Sequence, residues 1–211
     1  MTLVSGSILS ANDMKDSIAS YNQTNVDFLH LDIMDGTFTE KKEDPFLKVA
    51  TGLLKNKKPL DIHLMSLIPR KLVDKYSKLK PTYLTIHLES DINLGDEIRY
   101  IKGLNINAGI AIAPESLVED VRAYLKMVSM VLLMGVVPGE GGQEMLPLTI
   151  DRIKELKKII KEEDTRVLIA VDGGINKENA ELLKKSGADI LVSGSYITDN
   201  FYYQTAIDNL K

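Results

Sequence analysis

Eight short runs of apolar and β-branched residues recur at 3–9, 28–34, 60–65, 83–88, 107–113, 130–136, 167–171 and 190–192. Each is followed by a polar turn and a stretch with helical spacing. The runs are close to continuously hydrophobic, as parallel strands are when both of their faces are covered. The clearest helix is predicted over 145–161, where Leu146, Ile150, Ile153, Leu156 and Ile160 form one stripe. Asn176 reads as the N-cap of a later helix and Gly187 as its stop. Strand–helix alternation repeated eight times predicts an α/β fold, a (β/α)8 TIM barrel in a single domain over 1–211, with an open doubly wound sheet as the alternative.

Composition narrows the partners. Hydrophobic residues make up 44% and charged residues 27% of 211 residues, an ordinary globular balance. A net charge of −4 argues against non-specific attraction to nucleic acid or anionic membrane. Cysteine is absent, which removes disulfides and thiolate chemistry and fits a cytoplasmic setting. The first residues lack the basic start and long apolar core of a secretory signal, and the most apolar stretch, 128–137, is about half the length that spans a bilayer.

In barrels of this type the active site forms at the C-terminal ends of the strands, so polar residues ending the apolar runs carry the chemistry. The second run ends H-L-D-I-M-D-G, where His30, Asp32 and Met34 alternate onto one face. The third ends D-I-H-L-M, with His63 and Met65 on one face; the fourth offers His87 and Glu89; the seventh leads into Asp172. A single histidine beside an apolar strand is more often a hydrogen-bonded core residue than a ligand. His30 and His63 together with Asp32 and Asp172 favour a cation site, because unpaired carboxylates in an apolar mouth are costly. The donor set suits Zn2+, Fe2+, Mn2+ or Co2+. His87 is left between a pocket role and a core role, and Asp35 is read as capping the Asp-Gly turn.

Three later loops are rich in glycine: V-V-P-G-E-G-G-Q at 136–143, Gly173-Gly174, and Gly194-Ser195. Glycine lets backbone N–H groups approach an anion closely, and a following helix N-terminus adds positive potential. Three such loops on successive strands point to a phosphate.

Together, H-L-D-I-M-D-G, D-I-H-L-M, M-G-V-V-P-G-E-G-G-Q, V-D-G-G-I and the terminal G-S resemble the ribulose-phosphate 3-epimerase family, in the family's order from residue 7 to Ser195. The resemblance implies a metal-dependent 3-epimerase that interconverts D-ribulose 5-phosphate and D-xylulose 5-phosphate through an enediolate, as in the pentose phosphate pathway. It implies one divalent ion on His30, Asp32, His63 and Asp172, with Asp32 and Asp172 also the catalytic acid/base pair. Met34, Met65 and Met134 match methionines around the family's intermediate, although read alone they are core filler. Ser7 and His63 match substrate-binding positions; so do Gly139, Glu140, Gly141, Gly142, Gly173, Gly174, Gly194 and Ser195, chiefly toward the phosphate. A homo-oligomer is expected by resemblance.

The chain departs from the family pattern in three places. The family's usual H-F-V-P-N after the second strand is replaced by Thr37-Phe38-Thr39 leading into Glu40-Lys41-Lys42-Glu43-Asp44. Glu140 stands for phenylalanine and Val137 for asparagine in the P-G-x-G-G-Q segment. A carboxylate about 6 Å from a phosphate costs roughly 3 kcal/mol at an effective dielectric of 20, so Glu140 is expected to face solvent or another subunit. The altered 39–44 loop keeps a hexulose phosphate such as D-allulose 6-phosphate as an alternative substrate. A lyase or decarboxylase barrel is disfavoured because the eight strand cores contain no lysine. A barrel that only binds a sugar phosphate is the alternative outside enzymes.

Overall fold

The computed structural model describes residues 2–45, 53 and 55–211. Its strands are β1 (Leu3–Ser7), β2 (Phe28–Asp35), β3 (Lys42–Glu43), β4 (Leu60–Met65), β5 (Tyr83–His87), β6 (Asn107–Ile112), β7 (Met130–Met134), β8 (Leu168–Asp172) and β9 (Ile190–Ser193). All but β3 pair in parallel with their neighbours, and β1 pairs with β2, so eight strands close into a ring. The two-residue β3 adds to the end of β2 antiparallel, with Met34 opposite Glu43 and Asp35 opposite Lys42. Helices α1 (Met14–Tyr21), α2 (Arg70–Tyr76), α3 (Leu94–Gly103), α4 (Thr149–Glu162), α5 (Lys177–Ser186), α6 (Ser195–Thr198) and α7 (Tyr203–Leu210) alternate with the strands. The cover between β6 and β7 is a 3-10 helix, Val118–Tyr124. The fold is therefore the predicted (β/α)8 barrel, not an open sheet. No helix among the described residues is long and apolar enough to cross a membrane.

Alternation along each strand divides two cores. Leu29, Leu31 and Ile33 of β2, Ile62 and Leu64 of β4, and Val131 and Leu133 of β7 face outward into the layer shared with the helices. A smaller cluster fills the inside of the ring: Phe28, Ala111, Met130, Leu132, Met134, Ala170, Ile190 and Val192. Most of that inner cluster comes from β6 to β9. The opposite wall, from β1, β2, β4 and β5, is polar: Ser5, Ser7, His30, Asp32, Asp61, His63, Thr85 and His87 are all buried. Half of the barrel interior is thus a polar wall, and it carries three of the four residues of the cluster described below.

Helix ends follow local sequence. Asn176 accepts from the Glu178 and Asn179 N–H groups while Asn179 accepts from the Asn176 N–H, a reciprocal cap on α5, and Gly187 closes the helix at φ +123°. The helix predicted from 145 begins instead at Thr149. Pro147 disfavours helical geometry at Leu146, whose N–H donates to the Gly135 carbonyl at 2.8 Å. The apolar stripe is otherwise present, with Ile153, Leu156 and Ile159 fully packed and Ile150 and Ile160 at its margin.

Candidate active site

Parity and register assemble the site. On β2, His30, Asp32 and Met34 face inward; β4 lies beside it with Asp32 opposite His63 and Met34 opposite Met65. Asp172, last residue of β8, lies opposite Met134 on one side and Val192 on the other. One ligand atom from each of His30, Asp32, His63 and Asp172 falls within 4.8 Å of all the others. His30 Nε2 and His63 Nδ1 each lie 3.2 Å from Asp32 Oδ1 and 4.0 Å from Asp172 Oδ2.

Three of the four ligand side chains, those of His30, Asp32 and His63, are held from behind. Asp61 Oδ2 lies 2.8 Å from His30 Nδ1 and accepts from the Ser5 hydroxyl at 2.8 Å. Ser7 donates to Asp32 Oδ2 at 2.8 Å. On the far side of His63, its Nε2 lies 2.8 Å from His87 Nε2, and His87 Nδ1 lies 2.9 Å from Glu89 Oε2. Phe38 stacks on the His87 ring with centroids 4.1 Å apart. Sequence reasoning missed Asp61 and Ser5. The available signal was inward parity with His63 in D-I-H, and with Ser7 in S-G-S.

The electrostatics follow from burial against these partners. Burial works to lower the His30 pKa, but the carboxylates of Asp32 and Asp61 outweigh it and hold the imidazole well above its usual value. Burial likewise opposes the Asp32 charge, yet His30 and His63 draw its carboxyl well below the usual carboxylate range. Asp172, desolvated and facing the Asp32 charge, is pushed up to about 6. Burial lowers His87 to about 4, while hydrogen bonds from His87 and Ser116 overcome burial at Glu89 and bring it to about 2.

A cleft opens above the cluster. Ser7, Asp32, Met65, Met134 and Asp172 line its floor, and Gly139 to Gly142, Gly173, Gly174, Gly194 and Ser195 line its rim. Met34 lies outside this cleft, in a neighbouring cavity, and His63 is wholly buried behind Asp32. The cleft is narrow, about 50 Å³, and borders a cavity of about 490 Å³ that Lys41, Lys42 and Glu43 help to line. Gly174 has φ +66°, and a Cβ there would lie 2.2 Å from the Met145 nitrogen, so the rim requires glycine at that point.

Glu140 turns away from the cleft floor: its side chain is 66% exposed and its carboxylate pairs with Lys41 Nζ at 3.0 Å. Asp35 caps the turn after β2 as expected, accepting from the Thr37 N–H at 3.0 Å and from the Ser66 hydroxyl at 2.6 Å.

Fold and cluster together define a class, a (β/α)8-barrel enzyme with a histidine–carboxylate centre suited to a metal ion. Comparison with known proteins resolves it further. The description "Ribulose-phosphate 3 epimerase family" matches residues 3–198. The chain is 35% identical to the ribulose-phosphate 3-epimerase of Helicobacter pylori, covering 99% of this chain and 96% of that one. It is 33% identical to that of Bacillus subtilis, covering 100% and 99%. The chain belongs to the ribulose-phosphate 3-epimerase family and is an isomerase acting on a carbohydrate phosphate. Solved structures with the same fold include KGPDC from Streptococcus mutans (10% identity, TM-score 0.70, covering 100% and 95%) and a 3-hexulose-6-phosphate synthase (14%, 0.69, covering 100% and 98%). At such identities the likeness is one of fold alone.

Proposed function

We propose that the chain interconverts D-ribulose 5-phosphate and D-xylulose 5-phosphate by moving a proton at C3, with Asp32 and Asp172 on opposite faces of the substrate. The observation that carries this is the convergence of two carboxylates, from strands three places apart around the ring, on one cleft with two imidazoles behind them.

The residues fit a divalent ion such as Zn2+, Fe2+, Mn2+ or Co2+. Two imidazole nitrogens and two carboxylate oxygens lie within 4.8 Å of one another, and each imidazole has its other nitrogen engaged outside the cluster. His30, Asp32, His63 and Asp172 would hold the ion, and it would supply Lewis-acid stabilisation of negative charge on the substrate oxygens.

The remaining work falls to the chain. Asp32 and Asp172 reach the cleft from separate strands, so one is suited to remove the C3 proton and the other to return one on the opposite face. The planar enediolate between these steps sits over Met65 and Met134, which limit access of bulk water. Gly173, Gly174, Gly194 and Ser195 receive the phosphate through backbone N–H groups, which fixes C3 between the carboxylates.

The test is epimerisation of D-ribulose 5-phosphate by the purified protein in D2O, with D-allulose 6-phosphate alongside. Turnover of the pentulose with deuterium incorporated at C3 supports the reading. It should cease on chelation and return on addition of a divalent ion. Preference for the hexulose would move the substrate to the alternative, and binding without turnover would reduce the chain to a sugar-phosphate-binding barrel.

A further inference from the structure

The metal reading leaves a buried chain of groups unused. It begins at His63 on β4, crosses to His87 on β5, and ends on Glu89 just beyond β5. We propose that His87 and Glu89 are positioning residues that hold His63 in the tautomer whose Nδ1 lone pair faces the cation. The proposal rests on the metal reading above and goes beyond it by assigning the protons behind the ligand.

Proton counting along the chain gives one arrangement. Glu89 Oε1 receives the Ala113 N–H at 2.9 Å and the Ser116 hydroxyl at 2.5 Å. A backbone N–H can only donate, so Oε1 is an acceptor. Glu89 Oε2 faces His87 Nδ1 at 2.9 Å, and an ionised carboxylate has no proton to offer, so His87 Nδ1 donates. In a neutral imidazole the other nitrogen then carries a lone pair. His87 Nε2 therefore accepts across the 2.8 Å gap, and the proton in it belongs to His63 Nε2. That leaves the lone pair of His63 on Nδ1, 3.2 Å from Asp32 Oδ1 and 4.0 Å from Asp172 Oδ2, where a cation shared with those carboxylates would receive it. With no cation between them, Asp32 instead draws a proton onto Nδ1.

The far end of the chain is anchored. Arg152 of α4 donates from Nη1 to the carbonyls of Pro114 and Ser116, both at 2.7 Å, and from Nη2 to that of Ala113 at 2.8 Å. The loop presenting the Ala113 N–H to Glu89 is thus fixed by a buried cation. His63 and His87 are wholly buried, and Phe38 covers His87, so water has little opportunity to replace either partner. His30 has a shorter version of the same device in Asp61 alone.

Glu89→Gln separates proton direction from packing. The Ala113 N–H claims the amide oxygen, which turns the amide NH2 toward His87. His87 must then accept at Nδ1 and donate from Nε2, and His63 is driven to carry its proton on Nδ1, against the cation. Glu89→Ala imposes no donor on His87 and vacates the space beside Nδ1, so His87 is free to keep its Nδ1 proton.

Two measurements decide it. Nitrogen-detected NMR of the chain's three histidines, on Zn2+-loaded protein, should show His87 protonated at Nδ1 and His63 at Nε2 in the wild type, and His87 protonated at Nε2 in Glu89→Gln. Zn2+ affinity by chelator competition should fall 10–100-fold in Glu89→Gln, and less in Glu89→Ala. His87 carrying its proton on Nε2 in the Zn2+-loaded wild type overturns the proposal, as does wild-type Zn2+ affinity in Glu89→Gln. Equal losses in both variants that track the melting temperature of the metal-free protein would reduce Glu89 to packing, and also overturn it. A wild type that binds no divalent ion defeats the metal reading instead, so the two failures are distinct.

Discussion

Asp61 and His30 form a buried pair on adjacent strands, with His30 Nδ1 2.8 Å from Asp61 Oδ2. The pairing directs His30 Nε2 into the cluster. Asp61 is itself incompletely satisfied, since its Oδ1 has no hydrogen-bond partner. A buried carboxylate with an idle oxygen is costly, and its retention is explained by what it does to the histidine.

Asp61→Ala is therefore expected to weaken divalent-ion binding about 10–100-fold. Removal also strands the Ser5 hydroxyl and the His30 N–H, for about 1–3 kcal/mol of stability. Chelator competition and urea unfolding of the metal-free protein measure the two effects separately. An unchanged ion affinity would show that His30 needs no partner to face the cluster.

Asp172→Asn should lower kcat by about 10²–10⁴ while leaving a folded barrel, because the amide cannot exchange a proton with carbon. Circular dichroism and metal content establish the comparison. Near-normal epimerisation with metal present excludes a two-carboxylate scheme.

Asp35 gives a pH prediction. Despite the opposing effect of burial, hydrogen bonds from Ser66 and Thr37 hold its pKa below the ordinary carboxylate value. A lowered folded-state pKa stabilises the protein above the unfolded value, about 3.9 for aspartate, and that contribution disappears as pH falls through the folded value. Asp35→Asn should cost about 0.5–1 kcal/mol at neutral pH, the low end for such bonds because the side chain is only partly buried. The gap from wild type should narrow below about pH 4. A gap that widens on acidification contradicts the assignment.

Lys41→Ala should change KM less than about fivefold, since an exposed ion pair contributes under about 1 kcal/mol. The wild-type KM should become salt-dependent in the same sense and the variant's less so. Steady-state kinetics across ionic strength measure both.

What could be read from sequence was set by periodicity. His30, Asp32 and Met34 share a parity on one strand, so their common face was visible. Asp32 opposite His63 is a matter of register between strands, and no single strand encodes that. The polar wall was harder to see because Ser5, Asp61 and Thr85 are scattered singly among apolar residues, each looking like an interruption. β3 lies in a run of charges with no alternation to mark it and forms by extending β2. The late start of α4 reflects Pro147, whose effect on Leu146 outweighs the apolar spacing that begins there.

The Lys41–Glu140 bridge joins segments following β2 and β7, which stand on opposite sides of the ring. Those segments also hold two of the chain's departures from its family's pattern, and the bridge matches the acid of one with a cation of the other. A chimera that imports either segment alone from a relative would leave an unmatched charge beside the path of an anionic sugar. Transplanted together, they should travel as a working pair.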